Sequence, residues 1–280
     1  MVDRFEALLE YFSLRAKAFH SGPICGLHKV ENRRGEGVIH LVFEGEVLVR
    51  HEIGERLHID QPSLLLYPRS LPHTFIMPPD HDATLVCAHL AFGGGDANLL
   101  AAAMPDWFCV PFKALGGADG LLSLLFREAF SDNCGRQALL DRLFEVLLIQ
   151  ALRSMVQQRK MQPGLLAGMA HPRLRAVLVN LHGDAACDWT LASMATLAGM
   201  SRSVFANEFR DVVGCTPMAY LQRWRMGMTQ QALLKGRPLK LIVHDVGYGS
   251  EAALSRAFKA HIGMTPRQWL SEQTPQASSR

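Results

Sequence analysis

The feature that most constrains the fold of this chain is an internal repeat in its last third. In each copy an apolar residue lies four positions before an aromatic residue, and a basic residue comes directly after the aromatic one. A Gly-x-Thr-Pro turn follows, and then an aromatic-leucine pair. The first copy reads Phe205-x-x-x-Phe209-Arg210, Gly214-Cys215-Thr216-Pro217 and Tyr220-Leu221, and the second reads Leu254-x-x-x-Phe258-Lys259, Gly263-Met264-Thr265-Pro266 and Trp269-Leu270. Every matched position is displaced by 49 residues, which indicates two copies of one supersecondary unit.

Each copy has the pattern of a helix-turn-helix unit, in which a short amphipathic helix, a glycine break and a serine-capped second helix follow one another. These elements are Leu191–Ala198, Gly199-Met200-Ser201 and a helix through Arg210 in the first copy, and Leu239–Val246, Gly247-Tyr248-Gly249 and a helix from Ser250 to about Ala260 in the second. Glycine supplies the tight turn, and serine satisfies free N–H groups at the start of the next helix. Such a unit places its second helix in the major groove of DNA.

The outward positions of the two second helices are the candidate DNA contacts. They are Arg202, Ser203, Asn207 and Arg210 in the first copy, and Glu251, Ala252, Ser255, Arg256 and Lys259 in the second. Arginine recognises guanine and asparagine recognises adenine, whereas lysine mainly adds phosphate affinity. The segment Met218–Lys235 between the units spans ~27 Å as a helix, which suits two recognition helices in successive major-groove segments ~34 Å apart. Alternatively, these side chains are only the solvated faces of core helices.

The charge distribution favours the DNA interpretation. The formal net charge of the 280 residues is only +3, but residues 1–170 carry −3 and residues 171–280 carry +6. Such asymmetry indicates an acidic module joined to one that meets an anion. The composition excludes disordered, collagen-like and coiled-coil proteins. Six cysteines without a CxxC pair exclude a disulfide scaffold, and no apolar run approaches the ~20 residues of a membrane helix. We therefore expect a cytoplasmic protein without membrane contact.

The first part of the chain has a different pattern. Short β-rich segments punctuated by glycine and proline occupy residues 24–92 and predict a small barrel or sandwich. After Pro111, leucines at three- and four-residue spacing predict helices over Gly120–Ser131 and Arg136–Arg159. The second helix is apolar around much of its circumference. It is therefore either a core helix packed on the barrel or a helix that forms a dimer seam. Lys160–Gly164 breaks this helix and opens a linker to about Ala170.

The segment from about His171 to Leu270 resembles the C-terminal DNA-binding domain of AraC/XylS-type bacterial transcription regulators. The resemblance rests on Leu191-Ala192-x-x-Ala195, Met200-Ser201-x-x-x-Phe205, Asp245-Val246-Gly247-Tyr248, Ser255-Arg256-Ala257-Phe258-Lys259 and Gly263-Met264-Thr265-Pro266. It implies seven helices, two of which read DNA, and activation of transcription through contact with RNA polymerase. Val243 and Leu254 stand where the family usually has alanine and an aromatic residue. Both exchanges keep an apolar side chain, so we expect them to affect local packing more than function.

The first half resembles the cupin-type sensor domain found in one branch of that family. The resemblance rests on His40-Leu41-Val42-x-x-Gly45, Pro62-x-x-Leu65-Leu66-x-Pro68-Arg69-x-x-Pro72-His73 and Leu85-Val86-Cys87. Cupin barrels gather histidines from the first two of these regions in their interior. Strand alternation also puts His40 on the same face as Val38, and Cys87 on the same face as His89.

The candidate sensor residues are Cys25, His40, His73 and Cys87, in a chain that has eight of its twelve histidines before residue 90. Two thiolates and two imidazoles are a familiar tetrahedral zinc set, with His28 and His89 as reserve ligands. The thiols of Cys25 and Cys87 would instead form a reversible disulfide on oxidation if their Cα atoms lie within about 7 Å. In a third interpretation, these cysteines are small buried hydrophobes and the histidines are core residues.

Two further functions remain open for the barrel. An organic effector would contact the apolar side chains Leu41, Phe43, Leu65, Tyr67 and Phe75, although such residues at strand spacing more often form plain core. A metal-dependent cupin oxygenase is a remote alternative. It commonly needs a His-x-His pair with a carboxylate, and Val42 stands two positions after His40. We therefore expect no enzymatic activity.

The sequence thus predicts an α+β protein with an N-terminal cupin-like β-barrel, following helices, and an all-α C-terminal domain with two helix-turn-helix units. The predicted segments are a sensor barrel over 1–112, a helical dimerisation or packing segment over 113–160, a linker over 161–170, a DNA-binding domain over 171–272 and a flexible tail over 273–280. The expected function is a homodimeric activator that binds double-stranded promoter DNA. Its barrel is expected to sense an oxidant, a metal (zinc is the candidate cofactor) or a small molecule.

Overall fold

The computed structural model of the chain describes residues 14–31, 36–52, 54–79, 81–92, 99–102, 104–158 and 163–273. These residues form two compact units, one within 14–158 and one within 163–273. The helical segment expected after the barrel belongs to the first unit. Of the tail expected over 273–280, only Gln273 lies within the described residues.

The described part of the first unit contains nine strands, which form antiparallel pairs throughout. They are β1 (Leu14–Ile24), β2 (Leu27–Val30), β3 (Glu36–Glu44), β4 (Val47–His51), β5 (Arg56–Ile59), β6 (Ser63–Tyr67), β7 (His73–Ile76), β8 (Ala83–Phe92) and β9 (Phe108–Pro111). One sheet has the order β1-β8-β3-β6-β9 and the other β2-β7-β4-β5. The predicted small β barrel or sandwich is therefore confirmed as two antiparallel sheets.

The hydrophobic core of this unit combines side chains from both sheets. Val38 and Leu65 of the five-stranded sheet and Val49 and Phe75 of the four-stranded sheet belong to one buried cluster. Along β3, residues 37–42 are buried without alternation, which is typical of a strand that is covered on both faces.

The described helices of the first unit follow the barrel strands. They are α1 (Leu99–Ala102), α2 (Asp119–Ala129) and α3 (Arg136–Gln158), and a 3-10 turn covers Phe112–Ala114. Helix α3 lies along β1, where the carboxylates of Asp141 and Glu145 accept hydrogen bonds from the backbone N–H groups of Ala18 and Ala16, at 2.8 and 3.4 Å. This contact covers the unpaired edge of the sheet. The apolar helix predicted from the sequence thus packs on the barrel, and the dimer seam stays a prediction.

The described part of the second unit contains only helices. They are α4 (Leu165–Ala170), α5 (Leu174–Gly183), α6 (Leu191–Leu197), α7 (Arg202–Val213), α8 (Pro217–Leu234), α9 (Leu239–Ile242), α10 (Glu251–Ile262) and α11 (Pro266–Gln273). The seven helices from α5 onward agree with the number that the AraC/XylS resemblance implies. Nowhere in the described ranges is a helix both long and apolar enough to span a membrane.

The segment expected to be a linker differs from the sequence prediction. Leu165–Ala170, expected to be linker, forms helix α4, and its Leu166 and Met169 are buried. The backbone N–H of Gly164 donates to the carbonyl of Val212 at 2.9 Å, one of the carbonyls left without an intrahelical partner at the end of α7. The prediction was wrong because these apolar side chains are buried against the other helices of the second unit.

The two repeat copies fold as predicted, except that the first helix of the second copy ends at Ile242, four residues before the expected Val246, and a turn follows it. Ser201 and Ser250 cap α7 and α10 by accepting from backbone N–H groups three residues later. Both helices extend two or three residues beyond the expected ends and stop at glycines in the left-handed conformation, Gly214 with φ +82° and Gly263 with φ +91°. At the two positions that depart from the family pattern, Val243 and Leu254 are buried, so the exchanges are accommodated in the core.

Candidate functional site

The predicted DNA contacts lie on equivalent faces of α7 and α10. Eight of the nine residues are exposed, and Ser255 is half-buried. Positions i, i+4 and i+7 of a helix share one face; these are Ser203, Asn207 and Arg210 in α7 and Ala252, Arg256 and Lys259 in α10. We call these two sets the recognition stripes. The second stripe is the first one displaced by the repeat length, so both helices present the same geometric face.

Helix α8, which lies between the two helix-turn-helix copies, holds the turn of the second copy in place. Arg225 of α8 donates from Nε to the carbonyl of Ala185 at 2.8 Å and from its terminal nitrogen to the carbonyl of Cys187 at 3.0 Å. Its guanidinium also lies over the ring of Tyr248 in the second helix-turn-helix. A Cβ atom on Gly247 would lie 2.7 Å from both the Ala186 carbonyl oxygen and the Arg225 guanidinium. This close packing fixes the second turn against the loop that follows α5.

A second candidate site is a cavity of about 380 Å³ inside the first unit. Four imidazoles and one thiol face it, together with the apolar side chains of Phe19, Ile24, Phe75 and Leu85. The four histidines are His20, His28, His40 and His89, and the thiol is that of Cys87. The predicted alternation is confirmed, because Leu85, Cys87 and His89 of β8 all face the same space. We call this space the cysteine-histidine cavity.

Three predicted sensor residues form a hydrogen-bonded chain at the cavity wall. His73 bonds the carbonyl of Leu71 through Nδ1 at 2.8 Å. Its Nε2 lies 3.0 Å from Nε2 of His40, and Nδ1 of His40 lies 3.0 Å from the sulfur of Cys87. Burial lowers the pKa of His73 to about 4 and lowers that of His40 well below its ordinary value. Both imidazoles are therefore neutral near pH 7.

The carbonyl at the end of this chain determines the direction of every bond. A carbonyl only accepts, so Nδ1 of His73 carries its proton and Nε2 of that neutral ring accepts. Nε2 of His40 must then donate, which leaves its Nδ1 unprotonated. The thiol of Cys87 consequently donates to His40. Burial raises the pKa of this thiol, which agrees with a protonated sulfur in the resting protein.

A β-bulge shapes the rim of the cavity. In the pairing of β1 with β8, Ala18 is opposite Ala88 and His20 is opposite Cys87, so Phe19 is an extra residue. A bulge re-aims side chains on the bulged strand, and here the consecutive residues Phe19 and His20 both line the cavity. The ring of Phe19 stacks on His89 with 4.2 Å between centroids. Phe19 and His89 also line an adjacent cavity of about 440 Å³, so this pair lies between the two spaces.

The structure does not bring Cys25 to the other three sensor residues. Cys25 is exposed just beyond the end of β1. Its neighbour Ile24 pairs with Ala83, which precedes Cys87 by four residues on β8, or ~13 Å at ~3.3 Å per residue. This separation exceeds the ~7 Å limit for a direct disulfide, so the predicted Cys25–Cys87 bridge cannot form in this structure without movement of the backbone.

The expected zinc set is not assembled either. His73 and Cys87 contact opposite nitrogens of His40, so these three groups do not point at one common position. Among the described residues, no group of three or more His, Cys, Asp or Glu side chains is arranged to hold a metal ion. The reserve ligands His28 and His89 do line the cavity.

The side chains expected to contact an organic effector are mostly elsewhere. Of the five, only Phe75 lines the cavity. Leu41, Leu65 and Tyr67 are fully buried, and Phe43 packs on Phe112 and Phe126 of the helical segment. Phe19, His20 and Ile24 were not predicted from the sequence, because a bulge alters which residues of β1 face inward. The abundance of histidine before residue 90 was the available signal.

Comparison with known protein families agrees with the division of the chain into two units. The cupin family matches residues 3–157, and a helix-turn-helix domain family matches residues 194–272. The first match covers the described first unit, and the second covers both recognition stripes.

Three relatives are all named transcription regulators. The chain is 42% identical over 137 residues to a putative AraC-like transcription regulator of Streptomyces antibioticus, covering 48% of this chain and 45% of that protein. It is 33% identical over 197 residues to a putative AraC-like transcription regulator of Streptomyces lividans, covering 69% and 65%. It is 27% identical over 234 residues to the RCS-specific HTH-type transcriptional activator RclR of Escherichia coli (strain K12), covering 82% of each. The chain thus matches less than two thirds of either Streptomyces relative.

Proposed function

Because this chain belongs to the AraC family of transcription regulators and carries a cupin N-terminal domain, we propose that it regulates transcription by binding specific promoter DNA under control of its cysteine-histidine cavity. The pair of recognition stripes is the observation that carries the DNA-binding part. The two helices are solvent-facing, capped in the same way and equivalent in the repeat, as two DNA-reading helices must be. Regulation, and not catalysis, is the activity that we assign.

The predicted DNA contacts on α7 and α10 divide into two kinds. Arg202, Asn207 and Arg256 carry the side chains suited to base edges, since guanidinium and amide groups form paired hydrogen bonds with guanine and adenine. Arg210 and Lys259 lie in the last turns of their helices and are assigned to phosphate. The 18 residues of α8 correspond to ~27 Å, close to the ~34 Å between successive major-groove segments on one face.

The remaining parts of the proposal concern the location of the protein, its oligomeric state and its effect on transcription. We assign the protein to the cytoplasm, as a homodimer that binds double-stranded promoter DNA and activates RNA polymerase. The exposed apolar residues Leu139 and Val146 lie seven positions apart on one face of α3, which supports this helix as the dimer contact.

DNA footprinting on promoter fragments tests the DNA-binding part. We expect protection of two adjacent major-groove segments on one face of the duplex, and loss of protection as the salt concentration rises. An Arg210→Ala and Lys259→Ala double variant should weaken protection on every sequence. Binding without any protected site at low salt would contradict the proposal.

For the signal, we assign oxidation of Cys87 alone. A hydroperoxide of the class ROOH transfers its terminal OH group to the sulfur, giving a sulfenic acid and the alcohol ROH. The thiol proton passes to Nδ1 of His40 and from there to the departing alkoxide, so that the thiol loses two electrons and the hydroperoxide gains them. The 3.0 Å contact between Cys87 and His40 supports this assignment, because His40 is placed to remove the thiol proton.

Sulfenic acid trapping tests this assignment. After treatment with cumene hydroperoxide, dimedone should label Cys87, and the DNA dissociation constant should change. The Cys87→Ser variant should lose both responses, whereas Cys25→Ser, which removes an exposed thiol, should keep them. A DNA response that persists without Cys87 would contradict the assignment.

A specific observation favours a second candidate signal. The cavity of about 380 Å³ falls within the ~300–1,000 Å³ typical of small-molecule sites. An organic effector that fills it would also alter the packing of β1 and β8. Binding of such a molecule would be saturable and would survive the Cys87→Ser substitution.

A further inference from the structure

The cysteine-histidine cavity is larger than reaction with a small oxidant requires, and its lining combines apolar side chains with the histidines and the charged residues Lys29 and Glu31. Phe19, Phe75 and Leu85 contribute apolar walls, and the sulfur of Cys87 and the imidazole of His40 lie in the same wall. A volume of about 380 Å³ admits an organic molecule of modest size. The site therefore combines a binding space, a nucleophile and a base.

No other cysteine placed by the strand pairing can reach Cys87. Cys87 is opposite His40, His40 is opposite Leu65, and Leu65 is opposite Cys109. Three strand spacings of ~4.8 Å separate the two ends of this row, or ~14 Å. Cys25 is about as far away along β8, as shown above. Neither thiol lies within disulfide distance, so a modification that is complete on one sulfur suits the site best.

We propose that Cys87 is a site of covalent modification by compact, apolar α,β-unsaturated carbonyl compounds that first bind in the cysteine-histidine cavity. This inference rests on the proposed control of DNA binding from that cavity. The sulfur forms a bond to the β-carbon, the carbon-carbon π bond breaks, and its electron pair moves to the α-carbon as an enolate. The proton leaves sulfur for Nδ1 of His40 and is then delivered to the α-carbon. The product is a thioether, and no oxidant or reductant is consumed.

The hydrogen-bonded chain prepares His40 for this transfer. Once Nδ1 takes the thiol proton, Nε2–H of the resulting imidazolium continues to donate to His73, which in turn donates to the Leu71 carbonyl. The charge therefore forms without breaking any of these bonds, and fixed partners of this kind stabilise developing charge. The imidazoles of His28 and His89 line the same space and supply N–H groups for the ligand carbonyl.

The resting state makes the modification selective. Cys87 is only 4% exposed and its thiol is protonated, so a reagent that does not bind in the cavity encounters little thiolate. A bound carbonyl compound is held beside the sulfur, which converts an encounter from solution into a reaction within one complex. Selectivity thus comes from binding, and the rate should saturate with the concentration of the electrophile.

The test uses the full chain with its exposed thiols removed by Cys25→Ser, Cys134→Ser and Cys187→Ser. The probe is cyclohex-2-en-1-one, and cyclohexanone is its saturated counterpart, which has nearly the same shape but cannot add to a thiol. Intact-mass measurements follow the adduct and peptide mapping locates it. We expect one adduct, at Cys87, a rate that saturates with probe concentration, and protection by cyclohexanone. Replacing His40 by Gln should slow the reaction by about 100-fold or more.

Two outcomes would overturn the inference. One is labelling of Cys109 or Cys215 in preference to Cys87, and the other is a rate that rises linearly with probe concentration and is indifferent to cyclohexanone. Saturation and protection are measured with His40 in place, so the result does not depend on the folding of the His40 variant.

The same samples separate this inference from the proposed function. If the adduct forms as expected but leaves the DNA dissociation constant unchanged, the modification site is supported and the proposed control from the cavity fails. If no adduct forms while hydroperoxide or cyclohexanone still alters DNA binding, the inference fails and the proposed control stands.

Discussion

The guanidinium of Arg225 lies 5.8 Å from the centre of the Tyr248 ring, a cation–π contact between the long helix α8 and the turn of the second helix-turn-helix. The same guanidinium bonds two carbonyls of the loop after α5. We expect Arg225→Met, which keeps the aliphatic stem, to lower the free energy of unfolding by about 1–3 kcal/mol, since both carbonyls lose a charged donor. Urea unfolding measures this loss. Arg223→Met, at an exposed position of the same helix, is the control and should change stability little.

The glycines of the two turns provide a matched pair of substitutions. Gly199 and Gly247 both have positive φ, +64° and +70°, so alanine costs about 1–2 kcal/mol at either position. At Gly199 the added Cβ meets no atom within 4 Å, whereas at Gly247 it meets the Ala186 carbonyl at 2.7 Å. Gly247→Ala should therefore destabilise the protein by about 1–3 kcal/mol more than Gly199→Ala. Equal losses in denaturant unfolding would show that the close contact relaxes freely.

Substitutions of the predicted DNA contacts on α7 and α10 should have two distinguishable effects on DNA binding. Arg210→Ala or Lys259→Ala should reduce the slope of log affinity against log salt by about 1, equally on all sequences, because one phosphate contact is lost. Arg202→Ala or Arg256→Ala should cost about 1–3 kcal/mol on the preferred site and less on others. Fluorescence anisotropy at several salt concentrations measures both. Arg142→Ala, in the cupin unit, should change neither quantity.

The buried histidine of the DNA-binding unit predicts a dependence of stability on pH. His182 is 2.6 Å from the hydroxyl of Tyr220, and burial lowers its pKa to about 3 from an ordinary 6.5. Between these two values the unfolded chain binds more protons than the folded chain, so stability is lost as the pH falls below about 6.5. The contribution of this group is about 1.4 kcal/mol per pH unit.

The comparison variant for this prediction is His182→Phe, which keeps an aromatic ring beside Trp224. It should be less stable at pH 7, because Tyr220 loses its partner, but its stability should fall less steeply between pH 6.5 and pH 5. Chemical unfolding at a series of pH values gives both slopes. Parallel curves for the two proteins would contradict the assignment to His182.

The stacked pair at the cavity rim predicts a change in the rate of Cys87 modification. Phe19→Ala removes one apolar wall of the cysteine-histidine cavity, so adduct formation by cyclohex-2-en-1-one should slow several-fold at low probe concentration and saturate only at a higher concentration. Because Phe19 is 48% exposed, its loss should cost less than about 1 kcal/mol of stability. Lys17→Ala, at an exposed position two residues earlier on β1, is the matched control. An unchanged rate in Phe19→Ala would show that the Phe19 ring does not contribute to binding of the probe.

The parts of the fold that depend on local signals were predictable from the sequence. Ser201, Gly214 and their counterparts act within a few residues of their own position, so their roles could be assigned without tertiary information. The geometry of the cavity depends on long-range pairing. The bulge at Phe19 exists only in relation to β8, and the separation of Cys25 from Cys87 follows from the register of the two strands.

Helix α4 was predictable from the sequence only in part. Leu165, Leu166 and Met169 have the spacing of an amphipathic helix, and that signal was present in the sequence. What could not be inferred was the surface that receives these side chains, because it includes the end of α7 and is formed only in the folded unit. A pattern of one turn and a half is too short to specify a helix without such a surface.

The attachment of α4 to α7 defines where this protein can be cut and rejoined. The backbone N–H of Gly164 donates to a carbonyl in the last turn of α7, and Gly168 is packed so closely that a Cβ atom would lie 2.5 Å from Leu178 and 3.0 Å from Val213. A chimaera that joins another N-terminal domain to the helix-turn-helix unit must therefore place the junction before Pro163. A junction at His171, where the family resemblance begins, would discard the segment that packs against α7.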